Sequence, residues 1–297
     1  TYDNLSSGSR KSVKWGKLIF GNIGNTKLLK KVISKYKPNS IFHFAALTSV
    51  EDSQKFPKKY YNNNVLGSKK LIDTAGKLGI KNFIFSSTCA VYGNPKSYPI
   101  NISSPTKPIN NYGKGKLDIE NYLKKAFSKY GMSSVSLRYF NASGADPKLE
   151  IGDRDFKSSK LIPRIISSIM NNSSFNIYGS NYPTKDGTCI RDYVHVVDLA
   201  NAHLSALKYL KKKSGAHKFN LGSGIGYSIL DIVKLIEKYS GKNVIYKYKK
   251  RRSGDPVKLY TSKNIDKKFN WKPKRSKLKY IIKDALGWYE KNYKHKS

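Results

Sequence analysis

Short apolar segments alternate with helical patterns along the first half of the chain, and this alternation constrains the fold more than any other feature of the sequence. The apolar segments that predict strands are residues 17–23, 40–47, 82–87 and 135–140. The stretches with apolar residues at helical spacing are residues 26–36, 57–78 and 113–130. Strands separated by helices form crossover units that build a parallel sheet, whose ligands bind at the carboxyl ends of the strands. The pattern therefore predicts an α/β fold whose functional residues follow the strands.

The second half of the chain is less regular and is richer in Gly, Pro and Asn. Its helical stretches are residues 161–170, 197–210, 229–239 and 278–289. We expect a nucleotide-binding domain over residues 1–140 and a smaller α/β substrate domain over residues 141–297. Residues from about 187 to 211 are expected to pack back on the first domain.

The chain is strongly basic, since 57 Lys and Arg against 19 Asp and Glu give a formal net charge of +38. A charge of this size suggests nucleic acid as a partner. Only eight of the basic residues are Arg, and the basic residues are spread over the whole sequence beside abundant Asn, Ile, Ser and Tyr, as in proteins from AT-rich genomes. We therefore favour a Lys-rich composition as the explanation, and a nucleic-acid-binding protein stays the alternative.

Composition excludes several other classes of protein. Two cysteines, Cys89 and Cys189, cannot form a disulfide framework or a four-ligand zinc site, and no metal site is expected. No apolar run approaches the roughly 20 residues of a membrane span, and no signal peptide opens the chain. These features predict a soluble, cytoplasmic protein.

A tyrosine and a lysine at helical spacing form the sharpest local motif. Tyr112 and Lys116 lie in a predicted helix, where residues four positions apart project from one face. A tyrosine with a pKa of about 10 is a poor base at neutral pH, and a neighbouring ammonium lowers that pKa by stabilising the phenolate. Thr88 follows the preceding strand, where its hydroxyl can bond a substrate oxygen. Because the chain holds 22 Tyr, the pair alone is weak evidence, and a solvated helix face is the alternative.

This Thr–Tyr–Lys order, after a strand and on the next helix, resembles the short-chain dehydrogenase/reductase superfamily. Longer motifs resemble its extended members, the UDP-glucose 4-epimerases, from Asp3 to about Glu290. These motifs are residues 3–8, 43–46, 60–65, 86–93, 137–141, 178–188, 191–200, 220–228 and 251–255. The resemblance implies a Rossmann-like, doubly wound parallel sheet, NAD as the cofactor, a UDP-sugar as the substrate and a homodimer.

The resemblance also assigns residues to the cofactor. These residues are Asp3, Asn4, Asn22, Ile23, Phe44, Ala45, Ala46, Asn63, Ser86, Tyr112, Lys116, Tyr139 and Phe140. The Asp3 carboxylate would accept hydrogen bonds from ribose hydroxyls, and Asn22 stands where the family usually has Asp. Five of these residues have an ordinary alternative: Asp3 in a turn, Phe44, Ala45 and Ala46 in the core of a strand, and Asn63 on the surface of a helix.

The substrate residues implied by the resemblance lie mostly in the second half. They are Thr88, Asn141, Leu161, Tyr178, Arg191, Arg252 and Asp255. A diphosphate favours bidentate, permanently charged donors, which Arg supplies better than Lys. Arg191 and Arg252 are therefore the most informative, with a surface salt bridge as the alternative. Lys160 departs from the family, which commonly has Asn there, and this puts one substrate hydrogen bond in doubt.

The amino-terminal strand of the family, its glycine-rich turn and the following helix have no counterpart here, so the predicted sheet is incomplete at its amino end. That turn holds the pyrophosphate of NAD on backbone N–H groups and a helix terminus. The chain is either a fragment of a longer protein or truncated, and we favour the fragment. We expect residues 1–297 alone to bind NAD poorly and to be inactive.

The resemblance implies inversion of C4 of a UDP-hexose through a 4-keto intermediate, with Thr88, Tyr112 and Lys116 as catalytic residues. Tyr112 would take the proton of the 4-hydroxyl. A 4,6-dehydratase would carry an Asp-Glu pair where Cys89 and Ala90 follow Thr88. This difference does not exclude the enzymes that act on UDP-uronates. UDP-N-acetylglucosamine also stays open as a substrate, because the resemblance places the pocket-size position on Leu259, which is smaller than the Tyr of restrictive members. From another class, an inactive or nucleic-acid-binding protein stays an alternative.

Overall fold

The computed structural model describes residues 1–154, 160–252, 255–262 and 267–293, so Ser253 and Gly254 of the motif at 251–255 lie outside the described residues. Along the described chain the strands are β1 (Tyr2–Asp3), β2 (Ile19–Phe20), β3 (Ser40–His43), β4 (Asn82–Thr88), β5 (Ser133–Tyr139), β6 (Asn141–Ser143), β7 (Phe175–Tyr178), β8 (Ile190–His195), β9 (Ala216–Leu221), β10 (Gly226–Ser228), β11 (Tyr246–Lys249) and β12 (Lys258–Leu259). The helices are α1 (Thr26–Tyr36), α2 (Val50–Lys55), α3 (Pro57–Tyr60), α4 (Ser68–Lys77), α5 (Asn111–Tyr130), α6 (Leu161–Met170), α7 (Val196–Leu210), α8 (Ile229–Ser240) and α9 (Leu278–Tyr293).

The chain divides into two compact units, and the first comprises Thr1–Gly93, Pro105–Arg138 and His203–Phe219. It contains a four-stranded sheet in the order β3-β4-β5-β9, in which β3 and β4 are parallel, and a separate parallel pair formed by β1 and β2. Its core joins Ile72, Phe83, Ile119 and Leu123, each fully buried, from helices α4 and α5 and from strand β4. The apolar faces of these helices therefore cover the sheet, as their helical spacing predicts.

The second unit comprises Asn94–Ser104, Tyr139–Ala202 and Asn220–Ser297. Strand β8 pairs with β10 in antiparallel fashion and with β6 and β12 in parallel fashion, while β7 and β11 form a separate parallel pair. Helices α6, α8 and α9 supply the core, in which Ile165, Ile232 and Ile281 are fully buried. This unit is also a mixed α/β structure.

The predicted α/β fold with parallel strands is confirmed, and the differences lie at the ends of the strands. The predicted strand at 17–23 is observed only as β2, because its partner β1 is itself two residues long and the Asn22 side chain turns the chain by accepting the N–H of Gly24. The predicted strand at 40–47 ends at His43, after which the chain leaves the sheet. The domain limits 1–140 and 141–297 stay predictions.

The predicted helix at 57–78 is observed as α3, a π-helical segment over Tyr61–Gly67, and α4. None of the helices in the described ranges combines the length and the apolar character that crossing a membrane requires.

The contact between α4 and α5 predicts how Gly76→Ala changes the free energy of unfolding. Tight packing at Gly76 predicts a decrease, whereas helix propensity alone predicts an increase. An added Cβ at Gly76 would collide with the ring of Tyr130, which its hydroxyl fixes on Asp73 at 3.1 Å. We expect Gly76→Ala to lower the free energy of unfolding by about 1–3 kcal/mol, as overpacking does, in chemical denaturation. In a Tyr130→Ala background the same change should raise it by up to about 1 kcal/mol, because Ala is the better helix former. Stabilisation by Gly76→Ala in the wild-type protein would contradict this account.

Candidate active site

Strand β4 extends beyond its neighbour β3 and presents its last residues at the carboxyl edge of the sheet. His43, the last residue of β3, lies opposite Phe85, so that Ser86, Ser87 and Thr88 continue past the end of β3. Thr88 is buried, and its Oγ1 accepts the N–H of Ala90 at 3.1 Å, which begins a short 3₁₀ turn over Cys89–Tyr92. The predicted position of Thr88, at the end of a parallel strand, is thus observed.

The Lys116 ammonium is buried between β4 and α5. Its Nζ donates to the carbonyl oxygen of Ser86 at 2.8 Å and lies 4.8 Å from the ring centroid of Phe85 and 5.8 Å from that of Tyr112. Burial lowers the pKa of Lys116 from 10.5 to about 7. The predicted neighbours Tyr112 and Lys116 are therefore on one helix face, and this face is directed at the sheet rather than at solvent.

His43 faces the same ammonium and stays neutral. Burial first, and then the charge of Lys116, lowers the pKa of His43 to about 3. Its Nε2 lies 2.7 Å from Ser68 Oγ, which gives the buried ring a hydrogen-bond partner. At neutral pH His43 therefore adds no second positive charge beside Lys116.

The start of α5 is fixed by a cap and by α2. The side chain of Asn110 accepts the N–H of Gly113 at 2.8 Å, and the N–H of Tyr112 donates to Ser53 Oγ at 3.3 Å. A Cβ at Gly113 would lie 2.6 Å from the carbonyl oxygen of Ala90, so only glycine permits this close approach of α5 to the turn after Thr88. The glycine next to Tyr112 is therefore needed by the packing.

His203 was not predicted from the sequence, although it contacts two predicted residues. Its Nε2 lies 3.2 Å from Ser86 Oγ, and its ring centroid lies 4.5 Å from that of Phe44. Phe44 is 58% exposed directly after β3, so the alternative of a strand-core residue is wrong. A histidine in a helical pattern gives no signal of this role, because its partners come from other elements.

The residues assigned to the cofactor near β1 and β2 bond their own turns. Asp3 Oδ1 accepts the N–H of Leu5 at 2.6 Å, and Asn4 Oδ1 accepts that of Ser6 at 3.1 Å. The turn alternative for Asp3 is thus observed. A carboxylate has further lone pairs, so the role toward a ribose stays a prediction.

The other residues assigned to the cofactor vary in exposure, and their roles also stay predictions. Ile23 belongs to the core, and Ala45 and Ala46 are half-buried. Asn63 is half-buried in the π-helical segment and donates to Asn64 Oδ1 at 2.9 Å. Tyr139 ends β5, and the buried Phe140 donates its N–H to Leu221 O at 3.0 Å.

Within the second unit, four of the residues assigned to the substrate form two pairs. Arg191 forms an ion pair with Asp255, and their side chains are 12% and 29% exposed. The guanidinium of Arg252 lies 4.0 Å from the ring centroid of Tyr178, whose pKa is lowered by its hydrogen bond with Arg252. The ion pair of Arg191 is thus largely buried, whereas Arg252 is exposed.

The remaining substrate candidates lie at the ends of elements of the second unit. Asn141, the first residue of β6, donates to Asp192 O at 3.0 Å, and Leu161 is the first residue of α6. Lys160 precedes it and forms an ion pair with Asp153 at 3.0 Å. Among the residues that the structure describes, no group of three or more His, Cys, Asp or Glu is arranged to hold a metal ion.

A buried ion pair beside the site was also missed. Arg138 and Glu120 have side chains that are 1% and 6% exposed. Arg138 Nη2 lies 2.5 Å from Glu120 Oε2. The available signal was the position of Glu120, four residues after Lys116 and therefore on the same helix face.

Comparisons with known proteins agree with this fold over nearly the whole chain. The sequence profile of the NAD dependent epimerase/dehydratase family matches residues 1–222. The UDP-glucose 4-epimerase of Rhizobium leguminosarum bv. trifolii is 40% identical over 299 residues, which are 99% of this chain and 90% of that protein. The crystal structure of UDP-glucose 4-epimerase from Brucella ovis in complex with NAD is 41% identical, with a TM-score of 0.92 over 96% of this chain and 89% of that chain.

The structure of the UDP-Glc/GlcNAc 4-epimerase from Campylobacter jejuni is 35% identical, with a TM-score of 0.81 over 98% of this chain and 91% of that chain.

The lowered pKa of Lys116 predicts a specific pH dependence of stability. Between pH 7 and 10.5 the unfolded chain keeps a proton that folded Lys116 has lost, so the free energy of unfolding rises with pH by about 1.4 kcal/mol per unit from this group. Lys116→Met removes this dependence. We expect the free energy of unfolding of the variant, relative to wild type, to fall steadily from pH 7 to pH 9 in urea titrations without added NAD.

Lys125, exposed on the same helix, provides the matched control. The difference between Lys125→Met and wild type should stay flat over this pH range. A flat difference for Lys116→Met as well would show that the ammonium is not desolvated as the structure implies.

Proposed function

The chain belongs to the NAD dependent epimerase/dehydratase family, and from this premise we propose that it inverts C4 of a UDP-hexose, interconverting UDP-glucose and UDP-galactose. Its relatives are UDP-glucose 4-epimerases, which supports an epimerase function. The observation that carries the proposal is the buried Lys116 ammonium, held on Ser86 O beside the ring of Tyr112. A cation in that position favours the phenolate that proton abstraction from a sugar hydroxyl requires.

The cofactor of this proposal is NAD, as in the Brucella ovis structure. The chemistry of the side chains in the first unit fits such a ligand: a carboxylate at Asp3, an amide at Asn22, an exposed aromatic ring at Phe44 and the ammonium of Lys116. Carboxylate and ammonium groups suit ribose hydroxyls, and an exposed ring after a parallel strand suits a flat ligand. When bound, NAD supplies the acceptor and donor of the C4 hydride.

The first unit supplies the proton chemistry in this proposal. Tyr112 accepts the proton of the sugar 4-hydroxyl as the 4-keto sugar forms, and it returns this proton to the 4-oxygen in the product. Because Thr88 Oγ1 already accepts the N–H of Ala90, the hydroxyl hydrogen of Thr88 is directed to another acceptor, and the sugar 4-oxygen fits this role. Lys116 stabilises the phenolate form of Tyr112, which is present before the first proton transfer and again after the second.

Arg191 and Arg252 supply the anchor for the diphosphate in this proposal. Arg191 is oriented by Asp255, and Arg252 is oriented by the ring of Tyr178. Planar guanidinium groups bind phosphate oxygens in a bidentate way, which fixes the UDP end. An anchored UDP leaves the hexose free to turn and present either face of C4, as inversion requires.

UDP-N-acetylglucosamine is the second candidate substrate. The resemblance assigns the pocket-size position of the family to Leu259, which lies opposite Arg191 in the pairing of β12 with β8 and is smaller than the Tyr of restrictive members. The similar protein from Campylobacter jejuni is a UDP-Glc/GlcNAc 4-epimerase, which supports this candidate. The cytoplasmic location, the homodimer and the alternative of a UDP-uronate stay predictions. The expectation that residues 1–297 alone are inactive finds no support in the comparisons and is not part of the proposal.

Replacing the proposed base tests the mechanism directly. Tyr112→Phe should lower kcat for interconversion of UDP-glucose and UDP-galactose by a factor of about 10²–10⁴, because proton transfer is lost. The Kd for UDP in calorimetry should change less than about twofold, since the diphosphate contacts remain. The assay uses the protein as its natural gene encodes it, with NAD added.

Tyr122→Phe is the matched control, because Tyr122 lies on the same helix and bonds Asp73 away from the sheet edge. It should keep the wild-type kcat. Unchanged turnover in Tyr112→Phe would remove Tyr112 from the mechanism, and a wild-type protein without 4-epimerase activity on either UDP-glucose or UDP-N-acetylglucosamine would overturn the proposed function.

A further inference from the structure

Four buried side chains from four successive elements form one hydrogen-bonded group, which we call the Glu120 cluster. Arg138 of β5 donates from Nε to Glu120 Oε1 at 2.9 Å and from Nη2 to Glu120 Oε2 at 2.5 Å. Its Nη1 donates to the hydroxyl of Tyr92 at 3.0 Å, and Ser87 Oγ of β4 donates to Glu120 Oε1 at 2.5 Å. Each member is less than a tenth exposed, so the donors and the carboxylate meet away from water.

The cluster lies one helical turn beyond the Lys116 ammonium. Glu120 follows Lys116 by four positions and Tyr112 by eight, so the three side chains share one face of α5. On β4, the carbonyl oxygen of Ser86 accepts from Lys116, and the hydroxyl of the next residue, Ser87, donates to Glu120. Two polar contacts one turn apart therefore join the same strand to the same helix.

Stability alone gives little reason for a charged pair at this place. Removing two charges from water is costly, and apolar residues of similar volume often stabilise a core as well as a buried ion pair does. An apolar contact, however, permits a helix to slide or rotate by small amounts, whereas a bidentate arginine–carboxylate pair with a further hydroxyl donor has fixed directions. The chemistry of the cluster is thus suited to setting a register.

We propose that the Glu120 cluster positions α5 on β4 and thereby holds Tyr112 and Lys116 at the level of Thr88. This inference rests on the proposed catalytic role of Tyr112, and Glu120, Arg138 and Ser87 act as positioning residues through the helix. Arg138 extends the contact to the hydroxyl of Tyr92, the last residue of the turn that Thr88 begins. The cluster thus joins the sheet, the turn after Thr88 and the catalytic helix in one hydrogen-bonded group.

Ser87→Ala is the informative variant, because it removes the strand contact while Arg138 still neutralises Glu120. We expect kcat to fall about ten- to a hundredfold through misplacement of the helix, with the KM for the UDP-sugar within about twofold of wild type. Ser87→Cys, which keeps a weak donor, should retain more activity than Ser87→Ala.

Ser134→Ala is the matched control. Ser134 is a buried serine of β5 in the same sheet, and no hydrogen-bond partner lies within reach of its Oγ among the described residues. It should keep the wild-type kcat and Tm. Equal kcat for Ser87→Ala and Ser134→Ala, or a loss confined to KM, would overturn the positioning role.

Hydrogen–deuterium exchange tests the inference without turnover. Loss of the register contact should speed exchange of the amides of residues 111–117 at least about threefold in Ser87→Ala, but not in Ser134→Ala. If the wild-type protein shows no epimerase activity, the proposed function fails and the exchange measurement alone tests the inference. Faster exchange of residues 111–117 in Ser87→Ala then supports the positioning of α5 by the cluster. Unchanged exchange there overturns it whatever the activity.

Discussion

A buried ammonium between a strand end and a helix is the constraint on which the first unit depends. Removing the charge of Lys116 from water is unfavourable, and the structure offsets this with the carbonyl oxygen of Ser86 and with the ring faces of Phe85 and Tyr112. These partners exist only because β4 continues past β3 and because α5 approaches closely at Gly113. The position of this cation thus depends on where the two strands end and on one glycine.

The same helix face carries a charge of the opposite sign one turn later, and the two charges are compensated differently. Lys116 is held by neutral dipoles and rings, and burial lowers its pKa to about 7, close to neutral pH. Glu120 is held by Arg138, a full counter-charge with fixed geometry. The first arrangement suits a group whose protonation responds to its surroundings. The second suits a group whose charge and position stay fixed. One α-helix therefore separates an adjustable charge from an anchoring charge by a single turn.

The sequence predicted what depends on spacing along one element and missed what depends on several elements. Helix α1 has the predicted limits, and the pair Tyr112 and Lys116 shares a face as the four-residue spacing requires. An apolar run, however, does not show where a chain leaves the sheet. Residues 40–47 were predicted as one strand, yet the strand ends at His43 and Phe44 is exposed. The carbonyl oxygen of Ser86 and the Arg138 partner of Glu120 come from other elements, and only the folded chain brings them to α5.

Only eight of the basic residues in this chain of net charge +38 are Arg, and two of them, Arg191 and Arg252, are predicted from the sequence as phosphate contacts. Arg138 is also one of these eight, yet it is buried, and its donors bond Glu120 and Tyr92 inside the protein. Bidentate donation and stacking on rings are properties of the planar guanidinium that Lys lacks: Arg138 donates to both oxygens of Glu120, and Arg252 stacks on Tyr178. Arg252 is stacked on Tyr178 and exposed, whereas the buried Arg138 uses its donors on Glu120 and Tyr92 and organises the fold. An arginine in a Lys-rich chain therefore indicates that a guanidinium is required, and its partners in the folded chain decide its role.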